Sequence, residues 1–337
     1  MIRIYFVHSA TQLNPRLWLS LGHPYIMVSA DNIAENTEHA AKELRGLSVI
    51  VDSGGYRLIS RGKLPDPSTV ISAQKTLSEE IGALPVLLDT PVPDPLRASD
   101  SDFYAANKLT ARNARVWSRV FGDRFLYPLH ARTPSQLREA LRIARSVAPS
   151  VDVYGLGSLA PLARYRPEKL LELVMFAREL VEQRLHVLGV GNSVAAAINL
   201  LGIADSIDTS SPLSDARYGL ARVPSNYALA LLAPRRNKPA APPETVSSQC
   251  NCPVCRKDPR ALAGWGRRGV LARTIHNAYQ LLRALSNPVE SMKLISRNKR
   301  LLRAVRRMLK HRYEAGVVAA APQGLCKGPG IGVDMIP

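Results

Sequence analysis

The alternation of short apolar runs with longer amphipathic segments is the feature that most restricts the fold of this 337-residue sequence. Stretches with apolar residues every three or four positions lie between the runs and predict helices. Together with residues 2–7 and 204–210, the runs give seven or eight strand–helix units, which favours a closed (β/α)8 TIM barrel of the α/β class. An open doubly wound sheet is the alternative, because strand order cannot be read from one sequence. The runs, rich in Val, Ile, Leu and Tyr, are 25–30, 47–53, 84–90, 124–131, 151–158 and 185–192.

The carboxyl ends of the predicted strands carry the residues that could perform chemistry. In a barrel these ends meet at one face, where active sites lie. Asp52 is followed by Gly54 and Gly55, which would let a flat ligand approach the backbone. Asp52 and Asp208, if they face each other, could divide nucleophilic and acid/base work at a sugar C1′, although capping of the following helices is the alternative role. The strand-end residues are Asp52, Asp89, His130, Gly155, Gly157, Gly189, Gly191 and Asp208.

The composition changes after residue 232 and predicts the domain organisation. Residues 1–232 form the predicted barrel core, and 233–249, rich in proline and small polar residues, read as an exposed connector. Residues 250–315 are expected to form a zinc-binding insertion with basic C-terminal helices. A tail at 316–337 follows.

Three of the four cysteines fall within six residues, an arrangement that suits a metal better than a disulfide framework. Cys250, Cys252 and Cys255 form a C-x-C-x2-C array, and His276 is the natural fourth ligand. Three sulfurs and one nitrogen would make a closed tetrahedral zinc site, which is structural because no coordination position remains. Cys326 is the alternative fourth ligand. Such a site would clip the basic C-terminal helices onto the barrel.

Positive charge predicts a polyanionic partner. Lys and Arg outnumber Asp and Glu by 45 to 27, giving a net charge of +18. Residues 292–313 predict a helix with one apolar side, and its basic residues suit nucleic-acid phosphates. A solvated helix face is the alternative, and membrane-surface binding is disfavoured because aromatic anchors are missing. The basic residues are Lys299, Arg300, Arg303, Arg306, Arg307 and Lys310.

Targeting signals are not evident in the sequence. The first residues, MIRIYFVHSATQLN, contain too short an apolar run for a signal peptide. No segment approaches the roughly 18 uncharged apolar residues that would span a bilayer. We therefore expect a cytoplasmic protein without a membrane partner.

Five segments in order resemble the tRNA-guanine transglycosylase superfamily. The resemblance covers roughly residues 45–285. GLGSLAP at 155–161 is similar to the archaeosine-type branch and to its relatives that insert deazapurines into DNA. The segments are DSGGYRL at 52–58, LLDTPVPDP at 87–95, YGLGSLAPLARYR at 154–166, residues 188–219, and CNCPVCRK at 250–257 with His276.

The resemblance implies a zinc-containing TIM barrel that exchanges guanine in tRNA or DNA for a 7-deazaguanine base through a covalent enzyme intermediate. The activity would be that of a pentosyltransferase, with preQ0, preQ1 and queuine as candidate incoming bases and no redox or nucleotide cofactor. Asp208 matches the nucleophile, Asp52 the acid/base residue, and Asp89 the carboxylate that reads the purine. The residues matching base-binding positions are Asp89, Ser53, Gly54, His130, Gly157, Ser158, Gly189 and Gly191.

Two departures from the family bear on the substrate. His130, in PLHAR, stands where many members have glutamine, and the chain ends without the additional RNA-binding domains of archaeosine-type enzymes. The alternatives are a tRNA enzyme with a separate RNA-binding subunit, a DNA-modifying relative, and a paralogue with altered activity. The family tendency predicts a homodimer.

Two other functions compete with the transglycosylase. A catalytically silent nucleic-acid-binding partner subunit would have no chemical reason to keep Asp52, Asp89 and Asp208 together. A retaining glycoside hydrolase on the same barrel fits paired carboxylates but explains neither the cysteine cluster nor the charge.

Overall fold

A computed structural model describes residues 2–8, 18–56, 62–234 and 239–314. Cys326, the predicted tail at 316–337, and parts of the predicted connector and of the 52–58 motif lie outside these ranges. Residues 1, 9–14 and 315 of the segments considered above also lie outside them. All the predicted site residues other than Cys326 fall within them.

Eight parallel strands form a nearly closed barrel, which confirms the predicted (β/α)8 fold. Their spatial order is β4-β3-β2-β1-β8-β7-β6-β5, and a parallel bridge between Val86 and Leu126 joins the two ends of this series. The open doubly wound sheet is thereby excluded. The strands are β1 (Arg3–His8), β2 (Tyr25–Ser29), β3 (Ser48–Asp52), β4 (Leu84–Pro85), β5 (Leu126–His130), β6 (Val153–Gly157), β7 (Arg184–Val187) and β8 (Ser206–Thr209).

Helices surround the barrel and continue beyond it. The barrel helices are α1 (Ala30–Ile33), α2 (Thr37–Leu44), α3 (Pro67–Ile81), α4 (Asp100–Phe121), α5 (Pro134–Val147), α6 (Ala160–Tyr165), α7 (Pro167–Leu180), α8 (Asn192–Leu201) and α9 (Ser211–Arg217). An antiparallel hairpin of β9 (Leu220–Arg222) and β10 (Leu229–Leu231) follows. The C-terminal helices are α10 (Glu244–Ser247), α11 (Pro253–Lys257), α12 (Gly266–Ser286), α13 (Pro288–Ser296) and α14 (Lys299–Glu314).

Side-chain caps explain where several barrel helices begin. Ser99 accepts a hydrogen bond from the backbone of Asp102, whose carboxylate accepts one in return, at the start of α4. Thr133 and Gln136 form the same reciprocal arrangement before α5. Asp66 caps α3 by accepting from the Thr69 amide. These local signals place the helix starts at the strand-end face of the barrel.

Alternation along the strands decides which side chains enter the barrel. Tyr5, Met27, Ile50, Val86, Leu126 and Val153 pack together in the interior. Because side chains on a strand alternate, Asp52 lies on the same inward face as Ile50. Ile207 packs outward in the main core, so its neighbours Ser206 and Asp208 face inward. The barrel therefore directs both predicted catalytic aspartates to its mouth.

The C-terminal helices dock on the outside of the barrel. Helix α12 packs along α9, α13 along α8, and α14 along α7 and α8. Arg273 of α12 is completely buried, and its guanidinium donates to the carbonyls of Ala216, Leu262 and Gly264. Protein contacts thus hold this region to the barrel in addition to any metal. Among the helices in the described ranges, none combines the length and the hydropathy needed to cross a bilayer.

Candidate active site and metal centre

Three carboxylates converge at the mouth of the barrel. Asp52 ends β3, Asp89 follows β4, and Asp208 lies near the end of β8. The backbone at Gly55 lies directly against Asp89, since a Cβ added to Gly55 would collide with the Asp89 carboxylate and carbonyl. Ser53 Oγ, which is fully buried, lies 3.5 Å from Asp89 Oδ1. The β3 turn and Asp89 therefore form one wall of the site.

The Asp52 carboxyl group has a raised proton affinity. Burial raises its pKa to about 7, and the negative charges of Asp89, Asp208 and, to a smaller extent, Asp31 act in the same direction. The Gly54 amide donates to Asp52 Oδ2 at 3.1 Å and opposes the rise only in part. A carboxyl group of this kind can both give and take a proton near neutral pH.

Asp208 is held from inside the barrel. Its Oδ1 lies 3.2 Å from His186 Nε2 and accepts a hydrogen bond from the Gly189 amide at 2.9 Å. His186 lies on β7, and its Nδ1 is 2.8 Å from Ser206 Oγ. His186 is not among the site residues predicted from the sequence. The available signal was its place in LHV of β7, where a histidine between two outward-facing apolar residues must point into the barrel.

Asp89 also faces an imidazole, which lies close to it without the geometry of a hydrogen bond. His130 Nε2 lies 3.3 Å from Asp89 Oδ2, and His130 Nδ1 lies 3.0 Å from Ser158 Oγ. Ser158 also accepts from the Val92 amide, and its backbone has a φ of 58°. The Asn107 side chain donates to the His130 carbonyl and accepts from the His130 amide. The histidine is completely buried, so it would act on a ligand through Asp89.

The glycines at the mouth meet different structural requirements. A Cβ on Gly157 would lie 2.9 Å from the His130 ring, so the residue opposite His130 must lack a side chain. Gly54 and Gly189 have φ values of 79° and 67°, a region that side chains disfavour. Gly191 caps α8 in an extended conformation. The structure brings the predicted base-binding residues together at one face, and their contact with a base stays a prediction.

The cysteine cluster has the geometry of a metal site. His276 Nδ1 lies 3.5 Å from Cys250 Sγ, 3.7 Å from Cys252 Sγ and 3.3 Å from Cys255 Sγ. A tetrahedral zinc ion with bonds of about 2.3 Å to sulfur and about 2.0 Å to nitrogen separates these atoms by about 3.5 Å. All four ligand atoms lie within 4.8 Å of one another. The residues therefore fit a metal ion such as zinc.

Outer contacts orient these ligands. His276 Nε2 donates to the Arg222 carbonyl at 2.7 Å, and this bond orients the ring so that Nδ1 is directed at the sulfurs. Gln280 Nε2 donates to Cys250 Sγ at 3.0 Å. The Cys252 amide donates to the same sulfur at 3.4 Å. These four residues would supply all the ligands of a tetrahedral metal ion.

The basic residues of α14 form an exposed ridge. Leu301, Val305 and Met308 are buried against the barrel helices. Of the predicted phosphate contacts, Arg306 is partly buried and the others are exposed: Lys299, Arg300, Arg303, Arg307 and Lys310.

Two contacts relate this ridge to the mouth. Arg300 Nη1 lies 3.5 Å from the Tyr165 carbonyl at the end of α6, which follows the β6 strand end. Ser193, in the first turn of α8, donates to the Leu294 carbonyl at 3.3 Å. The start of α14 is thus on the side of the barrel where the carboxylates lie. Between α7 and α14 there is an open cavity lined by Glu168, Arg300, Arg303, Ala304 and Arg307.

No protein-family model matches the chain, and a search of curated proteins finds no significant match. The function is therefore inferred from the residues of the site.

Proposed function

We propose that this protein is a guanine transglycosylase that replaces guanine in a nucleic acid with a 7-deazaguanine base of the preQ0 type. The observation that carries the proposal is the convergence of Asp52, Asp89 and Asp208 at one barrel mouth, with the pKa of Asp52 raised to about 7. The other two carboxylates each face a buried histidine. Three carboxylates in different environments can take three different roles.

Recognition of guanine is assigned to Asp89 and the surrounding backbone. Guanine presents N1–H and its amino group as adjacent donors, which one carboxylate can accept together. The glycine-rich strand ends allow a flat base to approach backbone amides. Tyr56, directly after Gly55, has 65% of its surface exposed and offers a ring on which a base can stack. A 7-deazaguanine has the same donor edge and would bind in the same way.

The first chemical step forms a covalent intermediate. One oxygen of Asp208 attacks C1′ of the target nucleotide while the bond from C1′ to guanine N9 breaks. The electron pair of that bond stays with guanine, which takes a proton from the Asp52 carboxyl group and leaves as the neutral base. Asp52 is then a carboxylate, and the sugar is esterified to Asp208.

The second step reverses the first with a different base. Asp52 removes the N9 proton of the bound 7-deazaguanine, and N9 attacks C1′ as the bond from C1′ to the Asp208 oxygen breaks. Asp208 returns as a carboxylate and Asp52 as an acid. A raised pKa suits Asp52 to both transfers, because the same group gives a proton in one step and takes one in the next.

Holding the polymer is assigned to the basic ridge. The reacting C1′ is inaccessible inside a stacked helix, so the target nucleotide must be flipped into the mouth. The exposed arginines and lysines at the start of α14 would hold the flanking phosphates without reading sequence.

A zinc ion would be held by Cys250, Cys252, Cys255 and His276. When bound, it would supply structural cross-linking between the segment around α11 and helix α12. The closed ligand set gives it no contact with substrate.

Incorporation of labelled guanine into purified tRNA and into duplex DNA tests the proposal. We expect label to enter one of the two polymers with the wild-type protein and to be lost with Asp208→Asn. If neither polymer is labelled while the protein still binds one of them, the transglycosylase proposal fails and the silent partner subunit replaces it.

A further inference from the structure

We infer that His186 is a positioning residue for Asp208. His186 fixes Asp208 Oδ1 from inside the barrel, so that Asp208 Oδ2 is the atom that attacks C1′. The inference rests on the proposed function and adds to it the identity of the reacting oxygen. It concerns a buried histidine on β7 that has no role in the mechanism described above.

His186 lies between two inward-facing residues of the neighbouring strand. Its ring is completely buried, with Nδ1 2.8 Å from Ser206 Oγ and Nε2 3.2 Å from Asp208 Oδ1. Strand pairing sets this arrangement, because His186 is opposite Ser206 in the register of β7 and β8. Tyr5 packs against the other side, with ring centroids 6.0 Å apart. The ring is therefore confined from several directions.

The direction of the hydrogen bonds follows from the chemistry of the groups. An ionised carboxylate can only accept, so the hydrogen between His186 and Asp208 belongs to Nε2. In a neutral ring Nδ1 then carries a lone pair and accepts the Ser206 hydroxyl. In a charged ring Nδ1 donates to the same hydroxyl instead. In both cases Nε2–H points at Asp208, so the positioning role does not depend on the charge of the ring.

Two donors meet on one oxygen of Asp208. His186 reaches Oδ1 from within the barrel, and the Gly189 amide reaches the same atom at 2.9 Å from the turn after β7. Within the part of the chain that the structure describes, no hydrogen bond reaches Oδ2. Rotating the carboxylate to exchange its oxygens would break both bonds at a buried position, which is unfavourable. Oδ2 thus keeps its lone pairs for the substrate.

A matched pair of variants separates positioning from simple packing. The amide nitrogen of His186→Gln can reach the place of Nε2 and donate to Asp208. The amide of His186→Asn is shorter, occupies the place of Nδ1, and leaves Oδ1 without that donor. Both variants keep a polar amide in the barrel. They differ in the hydrogen bond under test.

The polymer is the one, tRNA or DNA, into which the wild-type protein incorporates labelled guanine. We would measure the single-turnover rate at which the protein forms a covalent adduct with it. Polymer affinity and thermal unfolding are measured in parallel. Loss of a hydrogen bond to a charged group predicts adduct formation about 10- to 100-fold slower for His186→Asn, with polymer affinity unchanged. His186→Gln is expected to keep at least about a third of the wild-type rate. If His186→Asn does not fold, Ser206→Ala replaces it and is expected to slow the adduct several-fold by releasing the ring.

Equal rates for both variants and the wild type, or equally slow rates for two folded variants, would overturn the role of His186. An unchanged rate in Ser206→Ala would overturn it in the same way where that variant replaces His186→Asn. Absence of any adduct with the wild type would overturn the proposed function itself, and the inference with it. The two failures are therefore distinguished by the wild-type result.

Discussion

His186 Nε2 lies 3.2 Å from Asp208 Oδ1, and this buried imidazole–carboxylate pair has a counterpart in His130 and Asp89. In both pairs the second ring nitrogen faces a serine hydroxyl. Asp52 has no such partner in the described part of the chain and receives the Gly54 amide instead. The three aspartates of the mouth thus differ in their hydrogen-bond donors, which is the physical basis for giving them different roles.

The raised pKa of Asp52 predicts a pH-dependent stability. Its pKa rises from an ordinary 3.8 to about 7 in the folded protein. Between these values the folded protein binds more protons than the unfolded chain, so its contribution to the free energy of unfolding falls as pH rises through this window. Replacing Asp52 with Asn removes the effect. We expect the stability gain of Asp52→Asn over wild type to grow by about 2 to 3 kcal/mol between pH 5 and pH 8, measured by urea unfolding.

Asp66, whose pKa is shifted in the opposite direction to that of Asp52, provides a control. Hydrogen bonds from Ser68 and Thr69 lower its pKa, and it caps an exposed helix start. Asp66→Ala should lower stability by nearly the same amount at pH 5 and pH 8, because the titration of Asp66 lies below that window. A flat difference for Asp52→Asn over the same range would contradict the assignment of a raised pKa to Asp52.

Gly157→Ala tests the coupling between His130 and Asp89. The added methyl group would lie 2.9 Å from the His130 ring and must displace it. Because His130 Nε2 lies 3.3 Å from Asp89 Oδ2, a displaced ring should move that carboxylate. We expect guanine affinity to fall by about tenfold, the effect of losing one hydrogen bond between guanine and a charged group. Equilibrium binding of labelled guanine provides the measurement.

Gly155→Ala is the matched control for this effect. Gly155 is on the same strand as Gly157, and its methyl group would lie 2.5 Å from Leu126 Cδ2 of the neighbouring β5, below the His130 layer. Both variants should lose stability through overpacking, but only Gly157→Ala should weaken guanine binding. Equal losses of affinity would mean that the His130–Asp89 contact does not matter for the base.

The barrel and the metal site were predictable from the sequence for different reasons. Strand–helix alternation runs through the first two thirds of the chain, so the fold did not depend on one segment. Three of the four candidate metal ligands lie within six residues, and local spacing alone brings them together.

The predicted strand at 84–90 is shorter in the structure, where β4 is Leu84–Pro85. Pro85 has no amide hydrogen to donate to a neighbouring strand.

The histidine contacts could not be predicted in the same way. His130 meets Asp89 across two neighbouring strands and Ser158 on the next turn, so its burial depends on barrel register. His186 is two residues before Leu188 in an apolar run, where the sequence alone shows only one polar residue. Knowledge of which strand face points inward is needed to place it under Asp208.

Metal content should depend on His276 and not on Cys326. Purified wild-type protein is expected to carry one zinc ion per chain, measured by elemental mass spectrometry. His276→Ala removes one of four ligands and should lower zinc affinity by at least about tenfold, with a lower unfolding temperature. Cys326→Ser should keep the ion. Loss of zinc in Cys326→Ser with retention in His276→Ala would reverse the ligand assignment.

The basic ridge should make polymer binding depend on salt. Arg303 lines the cavity between α7 and α14, whereas Arg307 is paired with Glu172 at 2.7 Å. Arg303→Gln is expected to lower the slope of log affinity against log salt by about 0.7 to 0.9, and Arg307→Gln by less. Lys42→Gln, an exposed charge change on α2, is the matched control. A slope unchanged in Arg303→Gln would remove this ridge from the interface.

Recovery of the covalent intermediate is the strongest test that Asp208 is the nucleophile. The protein is incubated with the labelled polymer while an added guanine deaminase destroys released guanine, so that the first step cannot reverse. The product is then denatured, digested and sequenced by mass spectrometry. We expect a nucleotide joined to Asp208 in the wild type and none in Asp208→Asn. An adduct at another residue, or none in a protein that binds the polymer, would contradict it.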